Sequence, residues 1–244
     1  MANSYFKFKQ FKIHQDKCAM KVCTDACLFG ALVARCKTCL PAKDSSEINC
    51  LDIGTGTGLL PLMLLQKNIN LAIDAVEIDA AAAAQANENI AASPWAKSIQ
   101  VFNEDVLNFS SQKNYNCIFS NPPFFEDDLQ SADEAKNNAK HNTALNFVQL
   151  LRVVDKYLNA DGFFAVLLPY HRLGYFIEEA EKTRLHLSKQ ILVKQTMKHK
   201  FFRGILFFNR KKNKPEFNEI IIKDSDHNYT PEFAAALKDY YLFL

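Results

Sequence analysis

The chain has 244 residues, of which 48% are hydrophobic, and its net charge at pH 7 is only +2. A chain of this length and apolarity can bury a full core, and it has the normal size of one α/β domain of about 200–250 residues. No apolar run reaches the ~18 residues of a membrane-spanning helix, and no signal segment opens the chain. We therefore predict a soluble, cytoplasmic protein without a membrane partner.

The number and spacing of the cysteines also favour a cytoplasmic protein. The seven cysteines are an odd number without the spacing of a secreted framework, so we expect free thiols in a reducing compartment. Cys36 and Cys39 have the internal spacing of a zinc ligand pair, but no second such pair and no paired histidines complete four ligands. We predict no metal site.

The N-terminal region predicts a small extension. Residues 5–13 alternate aromatic and basic side chains, and the apolar positions shift from even to odd numbers, so a bulge or tight turn near Gln10 is needed to keep one apolar face. We expect an amphipathic hairpin with lysines on its outer side. A helix over about 25–35 follows, which Thr24 or Asp25 can cap. Residues 1–40 are predicted to form an extension packed on a core domain of residues 41–244.

The middle of the chain alternates strands with helices. Strands are predicted at 48–53, 71–77, 98–103, 115–120 and 163–168, and helices at 59–66, 80–92, 143–158 and 173–183, with a break at Gly162. Such alternation favours a Rossmann-like, doubly wound, mostly parallel sheet whose ligand site lies beyond the carboxyl ends of its strands.

The last part of the chain changes character. Residues 187–196 and 200–209 predict two strands joined by a basic turn, which would add an antiparallel hairpin to the sheet. Residues 218–223 offer a further strand, and 231–240 a terminal helix with Pro231 in its first turn.

A glycine-rich loop lies where the first central strand turns into a helix. Gly54, Gly56 and Gly58 follow Asp52 directly, and glycines there permit positive φ and a close approach of a ligand to the backbone. A nicotinamide-binding fingerprint is disfavoured, because its last glycine would fall on Leu59.

Two acidic residues end the next strands. Glu77 ends the second strand, where a carboxylate can accept hydrogen bonds from both hydroxyls of an adenosine ribose, or can begin a helix together with Asp79. Asp105 ends the third strand and can accept from an adenine amino group, or cap a turn.

The fourth strand ends in Asn121, Pro122, Pro123, Phe124 and Phe125. The prolines lack backbone donors and leave carbonyls free to accept from a ligand. An amide oxygen, a proline carbonyl and an aromatic face suit a planar heterocycle with an amino group. A proline-rich turn with two core aromatics is the simpler alternative.

These motifs resemble a known family. The glycine loop after Asp52, the acids Glu77 and Asp105 and the Asn-Pro-Pro-Phe segment resemble class I S-adenosylmethionine-dependent methyltransferases that act on amino groups. With the segments 8–11 and 20–25, the chain is similar to the bacterial adenine-N(6)-methyltransferases that modify the adenine beside the anticodon of a valine tRNA. This resemblance implies a seven-stranded sheet carrying the C-terminal antiparallel hairpin.

The resemblance also implies residue roles. S-adenosylmethionine would be the cofactor, with S-adenosylhomocysteine as product, and tRNA the partner of a monomer. The implied cofactor site comprises Thr24, Asp52, Gly54, Gly56, Gly58, Glu77, Ile78, Asp105, Val106 and Asn121. The implied catalytic segment is Asn121, Pro122, Pro123 and Phe124, with Asn121 and the Pro122 carbonyl accepting from the target amine and Phe124 stacking on the base.

Basic residues at both ends of the chain favour RNA as the partner. The hairpin side carries Lys7, Lys9 and Lys21, and the run from 194 to 214 holds eight basic residues and no acidic one. From this run we predict RNA contacts for Lys198, Lys200 and Arg203, and a further contact for Phe125. The alternative for these basic residues is a solvated surface without a partner. The alternatives for the function are methylation of an adenine in DNA or rRNA, methylation of a protein glutamine, and RNA binding without enzymatic activity.

Overall fold

The computed structural model describes residues 3–18, 20–36, 48–123 and 145–244. Its strands are β1 (Tyr5–Lys7), β2 (Lys12–His14), β3 (Ile48–Ile53), β4 (Leu71–Glu77), β5 (Ile99–Asn103), β6 (Tyr115–Ser120), β7 (Leu158–Pro169), β8 (His186–Thr196), β9 (Phe201–Asn209) and β10 (Glu216–Lys223). Its α-helices are α1 (Thr24–Ala34), α2 (Leu59–Lys67), α3 (Ala80–Ala91), α4 (Phe147–Tyr157), α5 (Leu173–Glu181) and α6 (Pro231–Leu237).

One large sheet organises these elements. Eight strands lie in the order β10-β8-β9-β7-β6-β3-β4-β5, and β9 is antiparallel to both of its neighbours while the other pairs are parallel. From β3 the chain winds outward in one direction through β4 and β5, and in the other through β6 and β7. This reversal opens a crevice at the carboxyl ends of β3 and β6, where open α/β sheets bind ligands.

The two faces of the sheet are buried by different helices. One core cluster holds apolar side chains of α1, α2, α3 and α6, and the other holds those of α4 and α5. Helix α2 is buried along seven consecutive residues because it lies between the sheet and α1. A helix that is apolar on all sides needs such a double cover.

The N-terminal hairpin forms as predicted. β1 and β2 pair antiparallel, Phe8, Phe11 and Ile13 are buried in the first core cluster, and the lysines of the hairpin are exposed. The hairpin also contacts the C-terminal part of the chain, since the backbone N–H of Lys9 donates to the carbonyl of Tyr240 at 2.8 Å. The proposed domain boundary near residue 40 lies outside the described residues and stays a prediction.

Four details differ from the sequence-based predictions. The main sheet has eight strands and not seven, because β10 adds parallel to β8. Gly162 lies inside β7, where a Cβ would come within 3.0 Å of the carbonyl oxygens of Tyr115 and Asn116. The N-cap of α1 is Cys23, without a side-chain cap. Cys36 is disulfide-bonded, so the expectation of free thiols is wrong there.

A buried polar cluster holds β4 and β6 together near their amino ends. The hydroxyl of Tyr115 donates to Asp74 Oδ2 at 2.7 Å, and Lys113 Nζ lies 3.0 Å from both oxygens of the same carboxylate. Tyr115 and Asp74 are buried, so their polar atoms depend on each other in place of water.

Tyr115→Phe is expected to lower the free energy of unfolding by about 2 kcal/mol, the usual value of a hydrogen bond to a charged group. Urea denaturation measures it, and Tyr175→Phe at an exposed position is the control. Equal stability losses in the two variants would show that the buried hydrogen bond contributes nothing particular.

Candidate functional site

The glycine loop follows β3 and borders the crevice. Gly54, Gly56 and Gly58 all have positive φ, at 74°, 56° and 79°, a region that other residues enter only with strain. A Cβ at Gly54 or Gly56 would meet no atom within 4 Å, so the backbone there faces open space. The loop therefore exposes its backbone to a ligand.

Glu77 organises this loop from the neighbouring strand. Its Oε2 accepts from the N–H of Gly56 at 2.8 Å, and its Oε1 accepts from the N–H of Asp79 at 3.0 Å. The α3 N-cap is Asp79, which accepts from Ala82 N at 2.8 Å. Asp79 therefore caps α3, while the Glu77 carboxylate joins the residue before that helix to the glycine loop.

Unpaired polar atoms converge where β3 and β6 end. Both carboxylate oxygens of Asp52, the hydroxyl of Thr55 and Oδ1 of Asn121 are buried and have no hydrogen-bond partner in the described part of the chain. Buried polar groups are ordinarily satisfied, and an unsatisfied cluster beside an open loop indicates a place for a polar ligand.

The environment of Asp52 changes its acidity. Burial raises the pKa of this carboxyl from 3.8 to about 7; the nearby Thr55 hydroxyl opposes the shift, and the charge of Glu77 adds to it. Loss of water disfavours the ionised form more strongly than the Thr55 hydroxyl favours it. A cationic group bound in the crevice would reverse this shift.

The end of β5 provides the next residues of the predicted cofactor site. Asp105 begins a tight turn in which its Oδ1 accepts from Leu107 N at 2.9 Å. Val106 behind it is buried, whereas Ile78 beyond Glu77 is 59% exposed. Apolar side chains on both sides of an acidic turn suit a flat heterocycle such as adenine.

The Asn-Pro-Pro segment leaves the sheet at the crevice. Asn121 is half-buried, Pro122 is buried and Pro123 is exposed. Phe124 and Phe125, for which stacking and an RNA contact are predicted, lie outside the described residues. The segment starts beside the glycine loop, because Asn121 directly follows Ser120, the partner of Ile53 in the parallel pairing of β3 and β6.

Two supporting residues were missed by sequence reasoning. The Ser120 hydroxyl donates to the carbonyl of Ile53 at 2.8 Å and links the ends of β3 and β6. Asn103 Nδ2 donates to the carbonyl of Glu77 at 2.9 Å and links the ends of β4 and β5. Each of them is the last residue of its strand, and a polar residue at that position could have indicated a hydrogen bond to the neighbouring strand.

Other predicted residues lie away from the crevice. Thr24 begins α1 and lines a groove with Phe6, Lys7 and Tyr241, and no hydrogen bond joins its side chain to the glycine loop among the described contacts. Lys9 donates to the carbonyl of Lys238 at 2.6 Å. Their predicted roles remain predictions.

Four of the lysines predicted to contact RNA, Lys7, Lys21, Lys198 and Lys200, are exposed. Arg203 differs, because its Nε donates to Oδ2 of the buried Asp25 at 2.8 Å. This ion pair links β9 to the start of α1, so Arg203 has a structural partner besides any RNA.

Two general features accompany the site. No helix in the described ranges is long and apolar enough to cross a membrane. Within the same ranges no group of three or more His, Cys, Asp or Glu side chains could hold a metal ion.

The sequence matches a family model described as "Methyltransferase small domain" over residues 36–162. The chain is 39% identical to the tRNA1(Val) (adenine(37)-N6)-methyltransferase of Dyadobacter fermentans over 98% of both chains, and 39% identical to that of Phocaeicola vulgatus over 99% of both. This chain belongs to their family. It is an S-adenosylmethionine-dependent methyltransferase.

A solved structure supports the same fold for the methyltransferase. A predicted O-methyltransferase from Agrobacterium tumefaciens superposes with a TM-score of 0.65 at 14% identity, covering 88% of this chain and 96% of the other. At this identity the likeness concerns the fold alone. The Rossmann-like class predicted from the sequence is confirmed.

The residues at the crevice fit S-adenosylmethionine. The buried oxygens of Asp52, which have no partner among the described residues, are suited to the ammonium of its methionine part, and Glu77 beside the glycine loop stays the residue predicted for the ribose hydroxyls. The open backbone of the glycine loop leaves room for the part of the cofactor that connects its ammonium to its ribose.

Asp52→Asn tests this assignment through pH. Because the folded state holds a proton that the unfolded chain releases near pH 4, the stability of the ligand-free methyltransferase should fall as pH rises from about 4 to about 7. In Asp52→Asn this contribution disappears. Thermal melts at pH 5 and pH 8 measure it, with the exposed Asp226→Asn as control.

The same variant should bind S-adenosylhomocysteine at least tenfold more weakly than wild type at pH 8, where wild-type Asp52 is ionised. The difference should shrink at pH 6, and titration calorimetry measures both. An unchanged affinity at pH 8 contradicts a role for Asp52 in holding the ammonium.

Proposed function

We propose that this methyltransferase transfers the methyl group of S-adenosylmethionine to the exocyclic amine of adenine 37, beside the anticodon of a valine tRNA. Relatives with this activity in their names match 98–99% of the chain. The observation that carries the proposal is the buried Oδ1 of Asn121, which has no hydrogen-bond partner among the described residues and is followed by Pro122.

Asn121 and Pro122 would orient the target amine. The amide oxygen of Asn121 and the carbonyl of Pro122 each accept one hydrogen of the amine, which draws its lone pair out of conjugation with the ring. Neither acceptor is a strong base, and the amine needs none before it attacks. The chain's contribution is therefore position and exclusion of water.

S-adenosylmethionine supplies an electrophilic methyl group on its sulfonium. Transfer would form a bond from the amine nitrogen to that methyl carbon while the carbon–sulfur bond breaks, and the electron pair would remain on sulfur, with S-adenosylhomocysteine as the product. The nitrogen then loses one proton to solvent, which returns it to neutrality. In this proposal, donor and acceptor meet at the adjoining ends of β3 and β6, which pair in parallel.

An unpaired adenine suits this site. A base in an anticodon loop is already outside a duplex, so turning it into the crevice costs less than extrusion from paired DNA. Phe124 is proposed to stack on the base, and Phe125 to contact the RNA beside it. The predicted RNA-binding lysines would neutralise phosphates around the loop.

The proposal extends to the setting of the reaction. A tRNA substrate places the methyltransferase in the cytoplasm. It is proposed to act as a monomer and without a metal, since positioning and the sulfonium supply the chemistry. Light scattering and activity in the presence of a chelator test these two points.

Asn121→Ala should reduce methylation of an unmodified valine tRNA transcript at least 10³-fold, because the amine loses one of its two acceptors. Binding of S-adenosylhomocysteine should fall by less than threefold. Tritiated-methyl transfer and calorimetry measure the two quantities, and Asn108→Ala, at an exposed position of the turn after β5, is the control.

Full activity of Asn121→Ala would exclude the proposed transfer site. The same assay with genomic DNA, ribosomal RNA and protein fractions tests the nature of the acceptor. Methylation of any of these in preference to tRNA would contradict the substrate but leave the methyl transfer intact.

The double variant Lys198→Ala/Lys200→Ala tests the RNA surface. Both lysines are exposed and follow β8, on the same edge of the sheet as Asn121. We expect weaker tRNA binding at 100 mM salt and a slope of log K against log salt that is about 1.4–1.8 less steep, for two lost phosphate contacts.

The matched control is Lys97→Ala/Lys182→Ala. These exposed lysines precede β5 and β8, so they lie at the opposite edge of the sheet. Filter binding at several salt concentrations measures both double variants, and identical slopes for the two would remove Lys198 and Lys200 from the RNA surface.

A further inference from the structure

Helix α3 carries two buried amide side chains within an alanine-rich sequence. Gln85 and Asn89 are each only 1% exposed and lie four positions apart, so they share one face of the helix. Fully buried amides are uncommon and need partners for every donor and acceptor. Their partners belong to the N-terminal extension and to the glycine loop.

Asn89 makes three hydrogen bonds that use both donors and the acceptor of its amide. Its Oδ1 accepts from His14 N at 2.8 Å, and its Nδ2 donates to the carbonyl of His14 at 2.9 Å. The second Nδ2 hydrogen goes to the carbonyl of Thr57, also at 2.9 Å. One side chain therefore holds β2 of the hairpin and the glycine loop together.

The hydrogen bond to Thr57 acts on the part of the glycine loop that lies between two glycines. Thr57 stands between Gly56 and Gly58, both of which have positive φ. The N–H of the peptide that joins Thr57 to Gly58 donates to the Thr55 carbonyl at 3.0 Å, so its carbonyl is the side of this peptide that still needs a partner from outside the loop. Asn89 supplies that partner from the buried face of α3.

Gln85 holds the same extension without contacting the loop. Its Oε1 accepts from Lys17 N at 2.7 Å and its Nε2 donates to Asp16 at 3.2 Å. The next residue, Cys18, lies near Glu77 and Asp79: burial first, and then these two carboxylates, raise the pKa of its thiol to about 11. Residues 14–18 thus run from Asn89 to the acids beside the cofactor site.

We propose that Asn89 is a positioning residue, which sets the shape of the glycine loop through the Thr57 carbonyl and couples that loop to the N-terminal hairpin. The inference rests on the crevice being the cofactor site. It adds that cofactor affinity depends on a residue that touches neither cofactor nor tRNA.

The first test compares three variants on one helix. Asn89→Ala should raise the KM for S-adenosylmethionine at least tenfold while kcat at saturating cofactor changes less than threefold. Gln85→Ala keeps the Thr57 contact, and Asn87→Ala removes an exposed amide that donates to Ala83 O within the helix. Both should stay within twofold of wild type in this KM.

A purely structural role of Asn89 gives a different result. Folding defects reduce the active fraction and hence kcat, with KM unchanged, and they would appear in Gln85→Ala as well. Either an unchanged KM in folded Asn89→Ala or an equal rise in Gln85→Ala overturns the proposal.

The second test uses the wild-type chain, so it remains informative if Asn89→Ala does not fold. Saturating S-adenosylhomocysteine should slow amide hydrogen exchange at least fivefold in a peptide covering residues 11–15, through the shared amide of Asn89. A peptide covering residues 216–223 in the distant strand β10 should not change. No slowing in residues 11–15 overturns the coupling.

The two proposals fail separately. If the wild-type protein does not bind S-adenosylhomocysteine, the proposed function is wrong. Hydrogen exchange in residues 11–15 would then be the same with and without S-adenosylhomocysteine, and the positioning role would fail with it. If wild type binds it while Asn89→Ala has an unchanged KM, the function stands and only the positioning role is lost.

Discussion

The burial of an unpaired carboxylate is the constraint on which the site depends. Asp52 is the penultimate residue of β3; it is completely buried, and its carboxylate has no hydrogen-bond partner within the part of the chain that the structure describes. Such an arrangement costs stability unless a cation binds or a proton is retained. The ligand-free protein retains affinity for a proton, and the ligand-bound protein can exchange that proton for an ammonium.

The surrounding structure keeps this carboxylate in place. Ser120 and Asn103 fix the ends of adjacent strands, and Glu77 holds the glycine loop through Gly56. These hydrogen bonds come from three different strands, so the ends of β3, β4, β5 and β6 are held in register at the site. Preorganisation of this kind reduces the entropy that binding must otherwise overcome.

Sequence reasoning recovered the parts of the molecule that depend on local patterns. The alternation of strands and helices predicts the parallel sheet, and the glycine spacing predicts the loop, because both follow from backbone geometry within a few residues. The alternation of residues 5–13 also predicts correctly that the lysines of the hairpin are exposed and that most of its apolar side chains are buried. Asp52, Glu77 and Asn121 could be expected close together because each lies at the end of a strand at the same edge of the sheet, and the structure has them there.

Contacts between distant segments could not be predicted in this way. Arg203 was expected to contact RNA because it stands among lysines, but its partner Asp25 lies 178 positions away. Asn89 stands in an alanine-rich helix where nothing nearby indicates a role, and Thr57 and His14 approach it only in the folded chain. Residues 218–223 were expected as a further strand, but the partner of β10 was not predicted. Its partner β8 is separated from it along the chain by the whole of β9.

The junction between the hairpin and the C-terminal helix has a consequence for synthesis. Lys9 bonds to Lys238, which is 229 positions later in the chain, and Phe8 forms a backbone bridge with Tyr241. During translation the central strands leave the ribosome well before these late residues do. The hairpin, which supports one side of the cofactor loop, therefore reaches its final position only after the rest of the sheet can form.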